Sequence, residues 1–428
     1  MTKALLALIV SGLAATVLIL PQQEPPVPDL AAAIDPPPVS VCAVEEGIDR
    51  STNVGVVSTI DGDGQFTVFA GGLSAGSTSF DTGPSGSVSL PVVDVAAVGL
   101  AAGLVELPNP EAASASLILG AESLAHESCL AAPAPQTLLG AGSSTSGQEF
   151  DVQLMNPYSG TALVDLTVRS ESGLESAAQL KGIAVPSRSS VVFDMDEVLP
   201  GRESMAVTID TIRGSVMAAG RLQDGTDDAL WNAIAPAQDW FVPIPSGGAS
   251  EVVISTGADI DVEFEIDVYG PDGLVEASDE GVVPARGETV IAAGAAGAEA
   301  AAIRVLSTQP VAVFLRAAGG SGVAITSGST LGASRWLLPA AGLGPGGTGR
   351  MVILNSGLEE AIVVVTAQRA ESVAQEIPVP AGSVIEVEAL EGNANAYTLK
   401  GEGLLVPVWV TTAGTATAYS IGVPMVDE

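Results

Sequence analysis

A repeat with a period of about 96 residues constrains the fold of this chain more than any other feature. A Val-Pro dipeptide, followed by a short polar step and a β-branched run, occurs three times, with its prolines at Pro186, Pro284 and Pro380. The first interval is 98 residues and the second is 96. Trp240 and Trp336, each followed closely by a proline, are also 96 residues apart. Such a period predicts a row of similar modules.

The repeat divides the body of the chain into four units, at residues 40–127, 128–238, 239–334 and 335–428. The last three units align with one another over most of their length. In the first unit the Val-Pro motif has decayed to a Gly-Pro sequence at residues 83–87. We therefore expect the first unit to be a degenerate copy, as terminal repeats commonly are.

Short alternating segments and frequent turns indicate that each unit is an antiparallel β-sandwich. About six to eight short strands per unit, with turn signals roughly every 8–12 residues, are typical of immunoglobulin-like domains. The sequence thus predicts an all-β chain of tandem immunoglobulin-like antiparallel β-sandwich repeats after an N-terminal transmembrane helix. Because proline lacks an N–H, the Val-Pro motif is expected at a strand start or a sheet edge. A β-propeller with two blades per period is the alternative architecture.

The N-terminal segment predicts a membrane anchor. Residues 4–20 carry no charge, and Lys3 precedes them. A run of about 17 residues is just long enough to cross the hydrocarbon core as a helix. Residues 1–20 are therefore predicted to be a single-pass signal anchor in the cell membrane, with the body extracytoplasmic. A cleaved signal peptide and a secreted protein are the alternative, and residues 21–39, which are rich in proline, predict a semi-rigid stalk.

The body of the chain is strongly acidic. The full chain has 15 basic and 50 acidic residues, and removing Lys3, Glu24, Asp29 and Asp35 leaves 14 and 47, a net charge of −33. A surface this negative repels phosphate backbones, so a nucleic-acid partner is excluded. Mutual repulsion and solubility explain the charge, and attraction of a divalent cation or a basic partner is the alternative.

Cys42 and Cys129 are the only cysteines in the sequence. Two cysteines in a segment that is predicted to be exported indicate a single disulfide bond. In the loop-entropy model, closing a loop of this length stabilises the fold by about 4–5 kcal/mol. The bond would connect the start of the first unit to the start of the second.

One predicted strand has a wholly acidic face. Five carboxylates alternate there with apolar residues, which must face the core. A solvated face is the simpler interpretation, and a face for a calcium ion or a basic partner is the alternative. Acidic loops at residues 61–64 and 224–228 resemble calcium loops only in part, and we interpret the first as a hairpin turn. The five carboxylates of the strand are Asp259, Asp261, Glu263, Glu265 and Asp267.

The sequence offers little that could be catalytic. His126 is the single histidine and is interpreted as a surface or linker residue. Residues 72–76 match the G-x-S-x-G pattern, but no alternation of strands and helices surrounds them. Residues 342–347 match G-x-G-x-x-G, but a predicted strand follows where the dinucleotide fingerprint requires a helix. Trp240 and Trp336, at matched positions, are interpreted as core anchors, with stacking on sugars as the alternative.

With its anchor, stalk and tandem repeats, the chain resembles an uncharacterised actinobacterial family of membrane-anchored secreted proteins called domain of unknown function 5719. The resemblance rests on the repeated Trp and Val-Pro landmarks, Trp240 with Pro284 and Trp336 with Pro380, and covers most of residues 40–428. It implies an envelope location and this architecture. The family carries no known catalytic residues to transfer.

These observations predict a non-enzymatic, extracytoplasmic scaffold or binding protein of the cell envelope. We expect no resident cofactor other than a calcium ion, and an envelope protein or polysaccharide as the partner. A carbohydrate-binding accessory protein of cell-wall glycan assembly is the alternative. That alternative requires exposed aromatic side chains along a groove.

Overall fold

The apolar runs of the sequence become β-strands in the computed structural model, which describes residues 39–425 with short gaps. One short α-helix, α1 (Met195–Val198), lies among the described residues, and Asp194 caps its N-terminus. The anchor and nearly all of the stalk, residues 1–38, lie outside the described part. Within that part no helix is long and apolar enough to cross a membrane. The gaps fall at residues 48, 71–72, 84–85, 97–98, 108–110, 247–248, 294–300, 320–321, 341–346, 369–372, 391–393 and 395.

The strands of the first two units are short and follow one another closely. The first unit contains β1 (Val39–Glu45), β2 (Arg50–Ser58), β3 (Asp63–Ala70), β4 (Leu73–Asp81), β5 (Ser87–Pro91), β6 (Leu100–Glu106), β7 (Ala112–Gly120) and β8 (Leu124–Ser128). The second contains β9 (Gln136–Gly142), β10 (Gln148–Asn156), β11 (Ala162–Ser170), β12 (Gly173–Leu174), β13 (Ile183–Val185), β14 (Ser189–Asp194), β15 (Met205–Arg213), β16 (Met217–Asp224) and β17 (Asp227–Asn232).

The last two units each contain one strand of 18 residues. The third unit contains β18 (Ala237–Pro243), β19 (Ala249–Ser255), β20 (Val262–Gly270), β21 (Gly273–Val283), β22 (Glu288–Ala292), β23 (Ala302–Gly319) and β24 (Gly322–Ser327). The fourth contains β25 (Ala333–Pro339), β26 (Gly347–Asn355), β27 (Ala361–Ala367), β28 (Val373–Val379), β29 (Val384–Glu388), β30 (Ala396–Ala413), β31 (Ala416–Ile421) and β32 (Val423–Pro424).

Each unit has two antiparallel layers of four main strands in the same order, to which the second unit adds β13 and the fourth unit adds β32. In the first unit the sheets run β1-β6-β3-β4 and β5-β2-β7-β8. In the second they run β12-β11-β15-β9, with β13 also on β11, and β14-β10-β16-β17. In the third and fourth units the sixth and seventh strands are continuous, so that β23 and β30 pass from one layer to the other. The first unit, whose motif has decayed, still has all eight strands in this order.

The strand order departs from that of an immunoglobulin constant domain. There the first strand pairs with the second, and the seventh pairs with the sixth. Here β1 pairs with β6, and β7 pairs with β2. The pairs β2–β5 and β3–β6 match the immunoglobulin order. The first, fourth and seventh strands therefore lie in the opposite sheet from that fold, since β4 also pairs with β3 here, and the fold is sandwich-like and all-β.

Large aromatic side chains fill the cores. Trp240 and Trp336 are buried, as predicted from their matched positions. Each indole N–H donates to the carbonyl three residues earlier, Ala237 O at 3.1 Å and Ala333 O at 3.0 Å. In the second unit Trp231 stacks on a phenylalanine with ring centroids 5.7 Å apart. At this position in both units, burial of the indole and the hydrogen bond of its N–H stabilise the fold.

The four units form a closed ring, whereas the sequence predicted a row. The last strands of the four units, β8, β17, β24 and β31, contact one another in cyclic order. The first and fourth units are joined where the Ser128 hydroxyl donates to Ile421 O at 2.6 Å. The period identified the module, but the angle between modules depends on surfaces far apart in the chain. The propeller alternative is wrong in assigning two blades to each period, because each period forms one sandwich-like unit.

The Val-Pro motif is a turn that joins the edge strands of the two sheets. Val185 ends β13, and β14 begins after the turn, so the proline lies at an edge as predicted but does not start a strand. Arg188, Arg286 and Gly382 occupy the same turn position with φ of 48°, 53° and 62°. In the first unit Gly86 has φ of 64°, so the decayed motif keeps the left-handed conformation.

These turns also touch the neighbouring unit. Arg169 of the second unit donates to Ala285 O of the third at 2.9 Å. The Ser87 hydroxyl of the first unit donates to Gln368 O of the fourth at 3.2 Å. The repeated motif therefore belongs to the framework that holds the ring together.

Candidate functional site at the ring centre

The predicted disulfide bond is present. Cys42 of β1 is bonded to Cys129, which follows β8, and their Cα atoms are 4.5 Å apart. Beside it, Val41 N donates to Leu130 O at 2.8 Å. The bond therefore fixes the segment that leads from the first unit into the second.

The acidic strand has the predicted alternation only from Val262 onward. Asp259 and Asp261 precede β20 and Ile260 between them is exposed, so the prediction of a core-facing strand from residue 259 is wrong there. Glu263 and Glu265 of β20 are exposed, whereas Val262, Phe264 and Ile266 between them are buried. The solvated outer face and the apolar inner face follow directly from the two-residue period of a strand.

The other three carboxylates of this run have structural partners. Asp259 accepts a hydrogen bond from Arg286 Nε at 2.5 Å, and Asp261 accepts one from Ala285 N at 2.9 Å. Both contacts support the Val-Pro turn of the same unit. Asp267 lies 3.9 Å from Arg304 Nη1. Only Glu263, Glu265 and Asp267 of the run lie in the strand, and no cluster of described His, Cys, Asp or Glu residues could hold a metal ion.

The positions of three other sequence motifs can be compared with the predictions made for them. Ser74 of the G-x-S-x-G match lies in β4, paired with Phe69 of β3, and the next described element is the strand β5. The G-x-G-x-x-G match lies outside the described residues except for Gly347, which begins β26, the strand predicted to follow. The interpretation of residues 61–64 as a hairpin turn is wrong, because β2 and β3 belong to different sheets.

His126 is buried in β8, and its assignment to the surface is wrong. Its Nε2–H donates to Pro339 O of the fourth unit at 3.1 Å, and Nδ1 lies 3.4 Å from Thr411 Oγ1. Burial lowers the pKa of His126 to about 4, and the bond to Pro339 only partly offsets this effect. The neutral imidazole is thus a polar contact across the closing junction of the ring.

Asp227 connects three units near the ring centre. Its carboxylate accepts hydrogen bonds from Leu124 N of the first unit at 3.1 Å and Val323 N of the third at 3.2 Å. A Cβ on Gly322 would lie 1.7 Å from Asp227 Oδ2, so only glycine fits there. Burial raises the pKa of Asp227 to about 6, although these backbone donors stabilise the anion.

A buried ion network holds the first unit against the second. Arg221 lies 3.5 Å from Glu45, 3.3 Å from Asp151 and 3.1 Å from Asp228. Arg50 lies 3.1 Å from Glu45 and 2.9 Å from Asp228. Burial raises the pKa of Asp151 to about 6, because desolvation outweighs the attraction of Arg221.

A second buried carboxyl lies between the second and third units. Glu288 Oε2 accepts a hydrogen bond from Ala141 N at 3.1 Å, where Ala141 has φ of 66°. The stem of Glu288 is partly exposed, but its carboxyl is enclosed. Burial raises the pKa of Glu288 to about 7, and Arg316 only partly offsets this effect.

A cavity of about 600 Å³ opens beside the ion network. Three turns form it: β1–β2 and β7–β8 of the first unit, and β16–β17 of the second. We call it the junction cavity. The charged and polar residues that line it are Glu45, Asp49, Arg50, Glu122, Ser123, Gln223 and Thr226.

A model described as Family of unknown function (DUF5719) matches residues 120–390, more than half of the chain. The chain belongs to this family. No curated protein matches it significantly. The DUF5719 match contains Arg221 and Asp228 but neither Glu45 nor Arg50. Two of the three turns that form the junction cavity, at residues 120–123 and 223–226, lie within the matched region, and the β1–β2 turn lies outside it.

Sequence reasoning missed the ion network. The acidic loop expected at residues 224–228 contains the start of β17, where Asp227 and Asp228 are both buried. Arg50 and Asp228 are 178 residues apart, and nothing local in the sequence connects them. One feature of the sequence points to such a network. The chain has only 15 basic residues against 50 acidic ones, and an arginine that becomes buried requires carboxylate partners.

Proposed function

We propose that the chain is a non-enzymatic, extracytoplasmic scaffold of the cell envelope, anchored through residues 1–20, that holds partners at fixed positions around a ring. The observation that carries the proposal is the contact between the first and fourth units, through Ser128 with Ile421 and His126 with Pro339. A closed ring fixes the position of every unit relative to the others. A scaffold that holds several partners requires such fixed positions, which a chain of independent modules would not provide.

The disulfide bond supports the extracytoplasmic part of the proposal, because such bonds persist in oxidising compartments. We also infer that the four units are repeats of one module related to immunoglobulin-like sandwiches. The shared strand order and the period of about 96 residues support that inference.

The carbohydrate-binding alternative receives no support from the aromatic side chains. The sequence contains four tryptophans, four tyrosines and eight phenylalanines, and all lie among the described residues. All are buried except Tyr158 and Phe193, which are half-buried. A sugar-stacking platform needs an exposed aromatic face, so we retain the scaffold as the single proposal.

Photo-crosslinking of the full-length chain in its own cells tests the scaffold role. A photoreactive amino acid would be placed singly at Ile60, Leu174, Ile260 or Leu358, one exposed position in each unit. A scaffold with fixed partners should give discrete adducts that differ between positions, identified by mass spectrometry. Adducts no different from those of an unrelated envelope protein at all four positions would contradict the proposal.

A labelling experiment tests the location independently. Glu263→Cys puts a thiol on the exposed face of β20, away from the disulfide. A membrane-impermeant maleimide added to intact cells should label this variant, whereas the wild-type chain, with both cysteines bonded, should remain unlabelled. Labelling that occurs only after lysis would place the body inside the cell.

A further inference from the structure

Three leucines at one end of the fourth unit are exposed beside one another. Leu358, in the loop between β26 and β27, is 97% exposed, and Leu331 and Leu404 are each 51% exposed. Leu404 lies between the other two. Its carbonyl accepts a hydrogen bond from Ser356 N at 2.9 Å, and a Cβ on Gly332 would lie 2.7 Å from its Cβ. We call these three leucines the leucine patch, and a contiguous exposed apolar group of this kind marks an interaction surface.

The loop that carries Leu358 has an equivalent with the same hydrogen bonds in the second unit. In each loop an asparagine amide, that of Asn355 or Asn156, donates to one loop carbonyl and to both carbonyls of the Val-Pro motif at 2.7–3.2 Å. The residue three positions after the asparagine is Leu358 in the fourth unit and Ser159 in the second. Because the same loop forms with serine, the leucine is not required for the fold.

Leu404 also stands where the second unit has a serine. The residue before it, Gly403, corresponds to Gly214, and both glycines have positive φ, 142° and 75°. A Cβ on either glycine would lie 3.2–3.3 Å from the Cβ of the alanine that begins β27 or β11. The next residue is Leu404 in the fourth unit and Ser215 in the second. The packing of the framework therefore accounts for neither exposed leucine.

Three carboxylates lie beside the leucine patch. Glu359 and Glu360 follow Leu358, and Glu402 is two residues before Leu404. All three are exposed, and none takes part in an ion pair between described residues. Burial of the leucines would supply affinity, and the carboxylates would orient a partner with positive charge. A second copy of the chain would place like charges opposite one another, which disfavours self-association.

We propose that the leucine patch binds a segment of another protein that carries apolar side chains flanked by lysine or arginine. The inference rests on the proposed scaffold function, because it assigns one partner-binding surface to the fourth unit. The net charge of the chain, −35, attracts such a segment from a distance and speeds its arrival. The leucines then select it from cations that have no apolar side chains.

Fluorescence anisotropy of the full-length protein with a short labelled peptide of leucine and lysine tests this inference. Two peptides of the same length serve as controls, one with serine for every leucine and one with glutamate for every lysine. We expect one site for the leucine–lysine peptide and binding weaker by at least about tenfold for both controls. Equal binding of the serine-containing peptide would show that charge alone suffices and would overturn the proposal.

Matched variants separate the patch from the rest of the surface. Leu358→Ser with Leu404→Ser copies the residues of the second unit and therefore keeps the framework. It should weaken binding of the leucine–lysine peptide by at least about tenfold, whereas Leu174→Ser with Ile260→Ser, at exposed positions in other units, should leave it unchanged. An equal loss in both double variants would overturn the proposal. A wild-type dimer that the patch variant converts to a monomer, measured by sedimentation, would also overturn it, because the patch would then bind a second copy.

Failure of this inference can be distinguished from failure of the scaffold proposal. The crosslinking positions Ile60, Leu174 and Ile260 lie in the other three units and do not depend on the leucine patch. Unchanged peptide binding by Leu358→Ser with Leu404→Ser would overturn the assignment of the patch alone. Non-specific adducts at every crosslinking position would overturn the scaffold.

Discussion

The junction between the third and fourth units and the junction between the fourth and first units are held by different forces. One continuous apolar cluster runs through the third and fourth units, with Trp240 in one and Trp336 in the other. Between the fourth and first units the apolar contacts are small, for example Leu117 and Leu124 against Ala416 and Ala418. Polar contacts of His126 and Ser128 complete that junction.

This difference indicates how the ring is assembled. Continuous burial makes the third and fourth units one cooperative body, since apolar stabilisation grows with the area removed from water. Hydrogen bonds contribute little net stability but fix geometry strongly. The ring should therefore open first between the fourth and first units, and changes in the two regions should have effects of different size and kind.

The largest effect is expected from removal of the disulfide bond. Replacing Cys42 and Cys129 by serine should lower the free energy of unfolding by about 4–5 kcal/mol, the loop-closure entropy of an 87-residue separation. Urea unfolding of both proteins measures it. Because the bond joins the start of the first unit to the start of the second, the variant should also separate unfolding of the first unit from unfolding of the rest. A single coincident transition with unchanged midpoint would contradict the account.

A cavity in the shared core should be almost as costly. Trp336→Ala should lower the free energy of unfolding by about 3–5 kcal/mol, because it removes a fully buried indole. The loss should appear in a single unfolding transition that the third and fourth units share. Hydrogen exchange of the backbone amides in β18 and β26 measures it. Independent unfolding of those two units would show that the cluster is not cooperative.

Buried carboxyl groups should make the ring more stable in mild acid. The folded-state pKa values of Glu288, about 7, and of Asp227 and Asp151, about 6, lie above ordinary values. Their neutral forms are therefore favoured in the fold, and this stabilisation is lost as the pH rises from about 4 to about 7. Thermal melting should show a falling Tm over that range.

Glu288→Gln separates this effect from the general repulsion of an acidic chain. The amide oxygen still accepts from Ala141 N but cannot ionise. The variant should melt a few degrees higher than wild type at neutral pH and at nearly the same temperature in acid. Glu263→Gln, on an exposed strand, is the matched control. An equal gain from the control would show that net charge, not burial, is responsible.

The smallest effect is expected at the closing junction. Ser128→Ala removes the hydroxyl donor to Ile421 O and should cost about 0.5–1.5 kcal/mol. Hydrogen exchange should become faster in β8 and β31 but not in β18. Uniform acceleration across all units would show that the closing junction is no weaker than the others.

Local features of the fold could be predicted from the sequence. The alternation around Phe264 identified a strand with a buried and a solvated face, and the matched positions of Trp240 and Trp336 identified core residues. The two cysteines allowed one disulfide bond only. Each of these depends on spacing within a single unit, on the repeat period or on a count.

Contacts between units could not be predicted in this way. The closure of the ring and the pairing of Arg50 with Asp228 depend on surfaces that meet only after each unit has folded. The strand order within a unit, which differs from that of an immunoglobulin domain, depends on pairing between strands far apart in the sequence. His126 was misplaced for the same reason, because its partners Pro339 and Thr411 lie in another unit. A repeat period determines the module but carries no information about the angle between modules.

Ring closure, the central claim, can be tested directly by a crosslink between the first and fourth units. The hydroxyls of Ser128 and Ser420 are 3.0 Å apart, so Ser128→Cys with Ser420→Cys brings two thiols together. We predict an intramolecular disulfide that joins peptides from the two units, found by non-reducing peptide mapping of the monomer. The control, Ser128→Cys with Ser172→Cys on an exposed turn, should not crosslink. Free thiols at both engineered positions under oxidising conditions would contradict a closed ring.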